Sequence, residues 1–107
     1  YGRDMKERRR GRILLVSSMS GVLPGNPSVA VYAATKAYEK SLASSMGREM
    51  ERYGVGVTCV LPGAVKETSF ASRSNIEEAA CFHFPGYAKS PELVAGEGIQ
   101  SLMLGYP

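Results

Sequence analysis

Arg12-Ile13-Leu14-Leu15-Val16-Ser17 is an apolar run closed by a hydroxyl residue, and Val55-Gly56-Val57-Thr58-Cys59-Val60-Leu61 repeats that character before Pro62-Gly63 stops it. Short runs rich in Val, Ile and Leu read as strands buried on both faces, as in parallel sheets. From about Val31 to Tyr53 there is no proline and only Gly47 interrupts, while Ala34, Tyr38, Leu42 and Met46 recur at helical spacing with Ala37 beside them. A strand, a long helix and a second strand form a parallel crossover unit. The fold class is therefore α/β, and the crossover should be right-handed.

Outside this unit, residues 1 to 10 read as the last turns of a polar helix with Gly11 as its stop signal. Gly21, Pro24, Gly25, Asn26 and Pro27 make residues 18 to 30 a loop. Residues 64 to 90 have no firm period; one helical turn is expected near Ile76 to Ala80, in a loop long enough to be functional. Ser90, Pro91 and Glu92 supply an N-cap, a first-turn proline and an acidic first turn, so a last helix should run from about Pro91 to Leu104. Doubly wound sheets use five or six strands and only two are visible here. We expect a fragment of such a sheet, incomplete at both ends, with apolar surface left uncovered. The absence of an initiator methionine at Tyr1 agrees with that expectation.

At 44% apolar and 21% charged residues, the composition is that of a globular protein rather than a disordered one. No apolar run approaches the length of a membrane span, and no signal peptide opens the chain, so a cytoplasmic location is expected for this segment. Cys59, Cys81 and the single His83 offer neither a disulfide framework nor a metal ligand set; no metal is expected and none of the three is given a role. The first twelve residues carry a net charge of +4 and the remainder −1. Such a cluster can bind nucleic acid or anionic membranes. A helix C-terminus, where cations complement the dipole, is the favoured reading because no aromatic residues interleave to stack on bases, so no nucleic-acid partner is expected.

Tyr32 and Lys36 lie four apart at the start of the long helix and share a face, which lets the ammonium approach the phenol oxygen. A free phenol titrates near 10, so proton exchange near neutrality asks for about 3 to 4 kcal/mol of help. One positive charge at about 4 Å, at an effective dielectric constant of 20, supplies about 4 kcal/mol. By itself the spacing is weak, since a packed tyrosine beside a snorkelling lysine gives the same pattern. Here the pair follows a buried strand ending in Ser17-Ser18, and open α/β sheets bind ligands at the C-terminal ends of their strands.

Arg12-Ile13-Leu14-Leu15-Val16-Ser17-Ser18-Met19-Ser20-Gly21, then Tyr32-Ala33-Ala34-Thr35-Lys36, then Leu61-Pro62-Gly63 together resemble the C-terminal half of a short-chain dehydrogenase/reductase over nearly the whole chain. The resemblance implies a doubly wound, Rossmann-type domain and hydride transfer between NAD or NADP and a carbonyl or alcohol substrate. It implies Tyr32 as the catalytic acid/base and Lys36 as the group that lowers the phenol's pKa and holds the nicotinamide ribose. It implies Ser18 as the donor to the reacting carbonyl. Ser18 is chosen because it precedes Gly21 by three; Ser17 and Ser20 are the alternatives, and the span from Ser18 to Tyr32 is one residue longer than usual.

Pro62, Gly63 and Val65 match the segment whose backbone touches the nicotinamide carboxamide, and Thr68 stands one place beyond the usual cofactor threonine, where Glu67 sits instead. Residues 64 to 90, with Phe70, Phe82, Phe84 and Tyr87, correspond to the substrate-covering segment; an apolar substrate is one reading of these aromatics, and local packing is the commoner one. The family's glycine-rich turn and its relay asparagine would lie upstream, so the fragment alone should be inactive. The resemblance also implies a homo-oligomer through the long helix, where Ala37, Ser41, Ser44 and Ser45 allow close approach. A different class of function is a catalytically silent nucleotide-binding scaffold or sensor. A serine hydrolase would need an elbow motif that is missing around Ser18.

Overall fold

In the computed structural model, residues 1–24, 27–66, 68–73 and 88–107 are described. They form α1 (Gly2–Glu7), β1 (Gly11–Val16), a 3-10 turn (Met19–Gly21), α2 (Ala30–Glu51), β2 (Val55–Val60), α3 (Phe70–Arg73) and α4 (Pro91–Leu104). The two strands pair in parallel, in register from Gly11 opposite Val55 to Val16 opposite Val60. α2 is the crossover between them.

Alternation along the strands decides which helix covers which face. Val55, Val57 and Cys59, with Ile13 and Leu15, pack against Ala43, Met46 and Met50 of α2. Leu14 and Val60 point the other way, where they meet α4 at Gly98; a Cβ there would lie 2.9 Å from the Val60 side chain. The Thr58 hydroxyl, on the same face, donates to the Tyr106 carbonyl just beyond α4. Helices on both faces of a parallel pair are the layer order of a doubly wound domain, seen here over two strands.

Several sequence expectations need correction. Gly11 does not stop α1: the helix ends at Glu7, Arg8 caps it, and Arg9 takes the left-handed conformation at φ 51°. Gly11 is the first residue of β1, and it is small because Met5 of α1 lies on it; a Cβ would come within 2.5 Å of that side chain. Opposite the Arg9 turn, Gly54 has φ 71°, and a Cβ there would lie 2.7 Å from the Arg9 carbonyl. The basic cluster meets the C-terminus of α1, with Lys6 in its last turn, and that of α2 as well: the Arg9 guanidinium donates to the Arg52 carbonyl at 2.8 Å. Lys6 and Arg52 also lie over the Tyr53 ring.

β1 was expected to be buried on both faces. Instead its apolar residues are half-buried and Val16 is 56% exposed, because β1 pairs with β2 alone among the described residues. The loop after β1 contains the 3-10 turn, and the segment after β2 contains α3; the expected turn at Ile76 to Ala80 lies outside the described residues. The last helix matches its expected bounds. Ser90 Oγ accepts from the Leu93 N–H, and Gly105 closes the C-terminus at φ 80°.

Among the described residues no helix is long and apolar enough to cross a membrane, and no cluster of His, Cys, Asp and Glu could hold a metal ion. The buried apolar side chains are Ala43, Met50, Val55, Val57 and Ala64, whereas Val16, Leu93, Ile99, Met103 and Leu104 are exposed. A core of that size among the described residues gives little cooperativity by itself. Purified alone, the 107-residue chain should melt over a broad range in urea, as followed by circular dichroism; a single steep transition would show that this core suffices.

Candidate active site at the strand ends

Beyond Val16 and Val60 the backbones stay tied: the Ser17 N–H donates to the Val60 carbonyl and the Met19 N–H to the Pro62 carbonyl, each at 2.9 Å. Ser18, extended at φ −160°, caps the 3-10 turn, its Oγ accepting from the Ser20 N–H at 3.1 Å. The turn then crosses α2 so closely that a Cβ on Gly21 would sit 2.6 Å from the Lys36 carbonyl carbon and 2.7 Å from the Ala37 nitrogen. Both obstructions are backbone, so only glycine fits without moving the turn.

That crossing brings β1 against the turn of α2 that carries Lys36. The Ser17 hydroxyl donates to the Lys36 carbonyl at 2.6 Å, and the Lys36 ammonium donates to the Val16 carbonyl at 3.2 Å. The same ammonium pairs with Glu39 Oε2 at 2.8 Å and lies 5.8 Å from the centroid of the Tyr32 ring. Tyr32 is half-buried, with Phe70 of α3 against it at a centroid distance of 6.0 Å. The tyrosine and lysine thus converge. Glu39 was not singled out from the sequence, although its spacing of three from Lys36 was the available signal.

The hydrogen bonds also separate the serines. Ser17, 4% exposed, spends its hydroxyl proton on α2, whereas Ser18, 9% exposed, uses an oxygen lone pair as a cap and keeps its proton to donate. The Ser20 N–H supplies that cap bond.

Past β2, Pro62 accepts from Met19, and Gly63 is exposed with open space where a Cβ would be. Val65 forms a parallel bridge with Lys89 through the Ala64 carbonyl and the Lys66 N–H. In parallel geometry this turns Val65's own N–H and C=O to the side away from Lys89. Thr68 precedes α3, its Oγ1 accepting from the Phe70 N–H at 3.4 Å. Glu67, Cys81, Phe82, His83, Phe84 and Tyr87 lie outside the described residues. Burial pushes the Cys59 thiol up, the Glu39 carboxylate adds to this, and a backbone hydrogen bond from Ser17 with the charges of Lys40 and Lys36 opposes it.

A groove of about 690 Å³ runs beside β2 between α2 and Pro107, lined by Gly47, Val55, Val57 and Cys59 among others. Tyr32, Lys36 and Ser18 do not line it. It follows the strand edge that has no partner among the described residues, so the hydroxyl and ammonium groups, not this groove, mark the candidate site.

Residues 2–79 match the family model of the short chain dehydrogenases. A very-long-chain 3-oxoacyl-CoA reductase-like protein of Arabidopsis thaliana is 34% identical over 103 residues, which cover 94% of this chain and 31% of that protein. An acetoacetyl-CoA reductase of Synechocystis is 39% identical over 82 residues, 76% of this chain and 34% of that protein. The chain therefore spans about a third of the length of these curated relatives. Among solved structures, an oxidoreductase of the short chain dehydrogenase/reductase family from Burkholderia thailandensis is 32% identical. It superposes with a TM-score of 0.72 over 91% of this chain and 39% of its own.

Gly21→Ala in the whole protein should lower stability by about 2 kcal/mol or more, because neither backbone can yield cheaply. Urea denaturation measures this; an unchanged midpoint would mean that the crossing is loose.

Proposed function

The chain belongs to the short-chain dehydrogenase family, and on that premise we propose that the whole protein is an oxidoreductase moving a hydride between a nicotinamide dinucleotide and a carbonyl or alcohol carbon. The 107 residues form the C-terminal part of its nucleotide-binding domain, and residues 64–90 cover the substrate. The observation that carries this reading is the Lys36 ammonium held over the Tyr32 ring, on the turn of α2 that the Ser18–Gly21 segment packs against.

The donor set fits a nicotinamide dinucleotide, NAD or NADP. An ammonium has three N–H donors, and Lys36 uses two on Val16 and Glu39, which leaves one for a ribose hydroxyl. Val65 offers a backbone donor and acceptor to the carboxamide, with Pro62 and Gly63 forming the approach and Thr68 at its far end. When bound, the dinucleotide supplies or accepts the hydride. The protein's task is the proton and the geometry. In reduction, the Tyr32 hydroxyl gives its proton to the carbonyl oxygen and Ser18 donates a hydrogen bond to the same atom; in oxidation, the Tyr32 phenolate takes the proton back. The Lys36 ammonium, 5.8 Å from the Tyr32 ring centroid, stands beside the group that exchanges this proton.

Two of the curated relatives are a very-long-chain 3-oxoacyl-CoA reductase-like protein and an acetoacetyl-CoA reductase, and from their names we extend 3-oxoacyl thioesters to this protein as its substrate class; Phe70 beside Tyr32 suits an apolar acyl chain. Ala37, Ser41, Ser44 and Ser45 are exposed along α2, and we assign this face to contact with a second copy. The test uses the whole protein with NADH or NADPH and a 3-oxoacyl thioester. Tyr32→Phe should cut turnover by about 10²- to 10⁴-fold while the nucleotide Kd, read by fluorescence, stays within a few-fold. Undiminished turnover would remove Tyr32 from the chemistry. Nucleotide binding without turnover in the unmutated protein would favour a silent scaffold.

A further inference from the structure

We propose that Glu39 is a positioning residue for Lys36: its carboxylate holds the ammonium at the end of β1 and limits the field that the ammonium exerts on the Tyr32 hydroxyl. This inference rests on the function proposed above. It starts from the short contact, 2.8 Å between Lys36 Nζ and Glu39 Oε2, with side chains only 20% and 29% exposed. A pair so placed is less screened than a surface one. Lysine has a flexible four-carbon stem, and one acceptor does not fix its end. The Val16 carbonyl and the Glu39 carboxylate approach from β1 and from α2, so together they fix the ammonium and direct its third N–H.

The charge of Glu39 has a separate effect. Tyr32, Lys36 and Glu39 fall within two turns of one helix, so the carboxylate acts on the hydroxyl against the ammonium. Among the described residues few other ionisable groups share that space. On α2 there is Lys40; on β2 there is Cys59, which feels Glu39, Lys40 and Lys36 together. The 3-10 turn has no ionisable side chain, and the one on β1, Arg12, lies at the opposite end of the strand. After β2, the described residues add Lys66 and Lys89 at the Val65 bridge and Arg73 on α3.

The sign follows from the charges. Oxidation requires the Tyr32 phenolate, and removing a nearby negative charge favours an anion. Glu39→Gln keeps an acceptor oxygen for Lys36 and removes only the charge. The phenolate absorbance of the whole protein, titrated against its Tyr32→Phe variant, isolates Tyr32 without any turnover measurement. In the Glu39→Gln background the midpoint of that difference titration should fall by roughly half to one pH unit, the order expected of one charge two helix turns, about 10 Å, away at an effective dielectric constant of 20 to 40. The pH at which oxidation is half-maximal should move the same way. Glu39→Asp, which keeps the charge, should retain the parent midpoint.

A Gln variant with the parent midpoint, or an Asp variant shifted as far as Gln, would overturn the proposal. If Glu39→Gln does not accumulate folded, Glu39→Ala carries the same expectation for the midpoint, alanine being the best helix former. The two readings fail separately. Undiminished turnover in Tyr32→Phe overturns the proposed function and this inference with it; a Tyr32→Phe loss with an unmoved Glu39→Gln midpoint overturns this inference alone.

Discussion

The site depends on one backbone crossing. Gly21 lies against the Lys36–Ala37 peptide of α2 at a distance that no side chain tolerates, and that contact fixes how far the end of β1 stands from the helix. Lys36 is then held by both its main chain and its side chain. Its carbonyl accepts from the Ser17 hydroxyl, and its ammonium donates to the Val16 carbonyl, one residue earlier on the same strand. A residue tied at both ends to one strand terminus has little freedom left. The helix turn bearing Tyr32 inherits that order through the i to i+4 ladder.

The second strand extends the same arrangement sideways. Main-chain bonds continue past the strand ends, from Ser17 to Val60 and from Met19 to Pro62, so the loops after β1 and β2 leave the sheet together. Then Ala64 and Lys66 grip Lys89, which ties the start of α4 to the segment bearing Val65. Side-chain chemistry is thus hung on backbone pairing that any sequence of suitable strand character would form. What is particular to this chain sits in a few positions: glycine at 21, serine at 17, and the Tyr32, Lys36 and Glu39 series along α2.

Much of this was legible in the residues. The two apolar runs, the helical period between them and the Ser90-Pro91-Glu92 start signal each depend on local physics, and the elements they imply match the observed ones. Local physics also explains the errors. Gly11 looked like a helix stop because glycine commonly is one, yet here it makes room for Met5, a contact invisible before the helix is folded back on the strand. Apolar residues of β1 looked buried on both faces, but burial depends on strands that would pair with its other edge. Spacing alone singled out Ser18 from Ser17 and Ser20; the hydrogen bonds add that the Ser17 proton is already used on the Lys36 carbonyl.

Glu39 shows the same limit with more consequence. At three residues from Lys36 on a polar stretch of helix it reads as an ordinary surface pair, worth a few tenths of a kcal/mol. Docking of β1 beside α2 changes that environment: the lysine becomes mostly buried, and a desolvated ammonium facing a single carbonyl would be costly. A carboxylate at 2.8 Å offsets the cost. The counter-charge that accompanies this half-buried lysine also opposes the lysine's influence on its neighbours, so ion-pair stability and the strength of that influence trade against each other. A cation drawn partly out of water must either keep some exposure or be neutralised in part by a partner; with Lys36 and Glu39 this chain takes the second course.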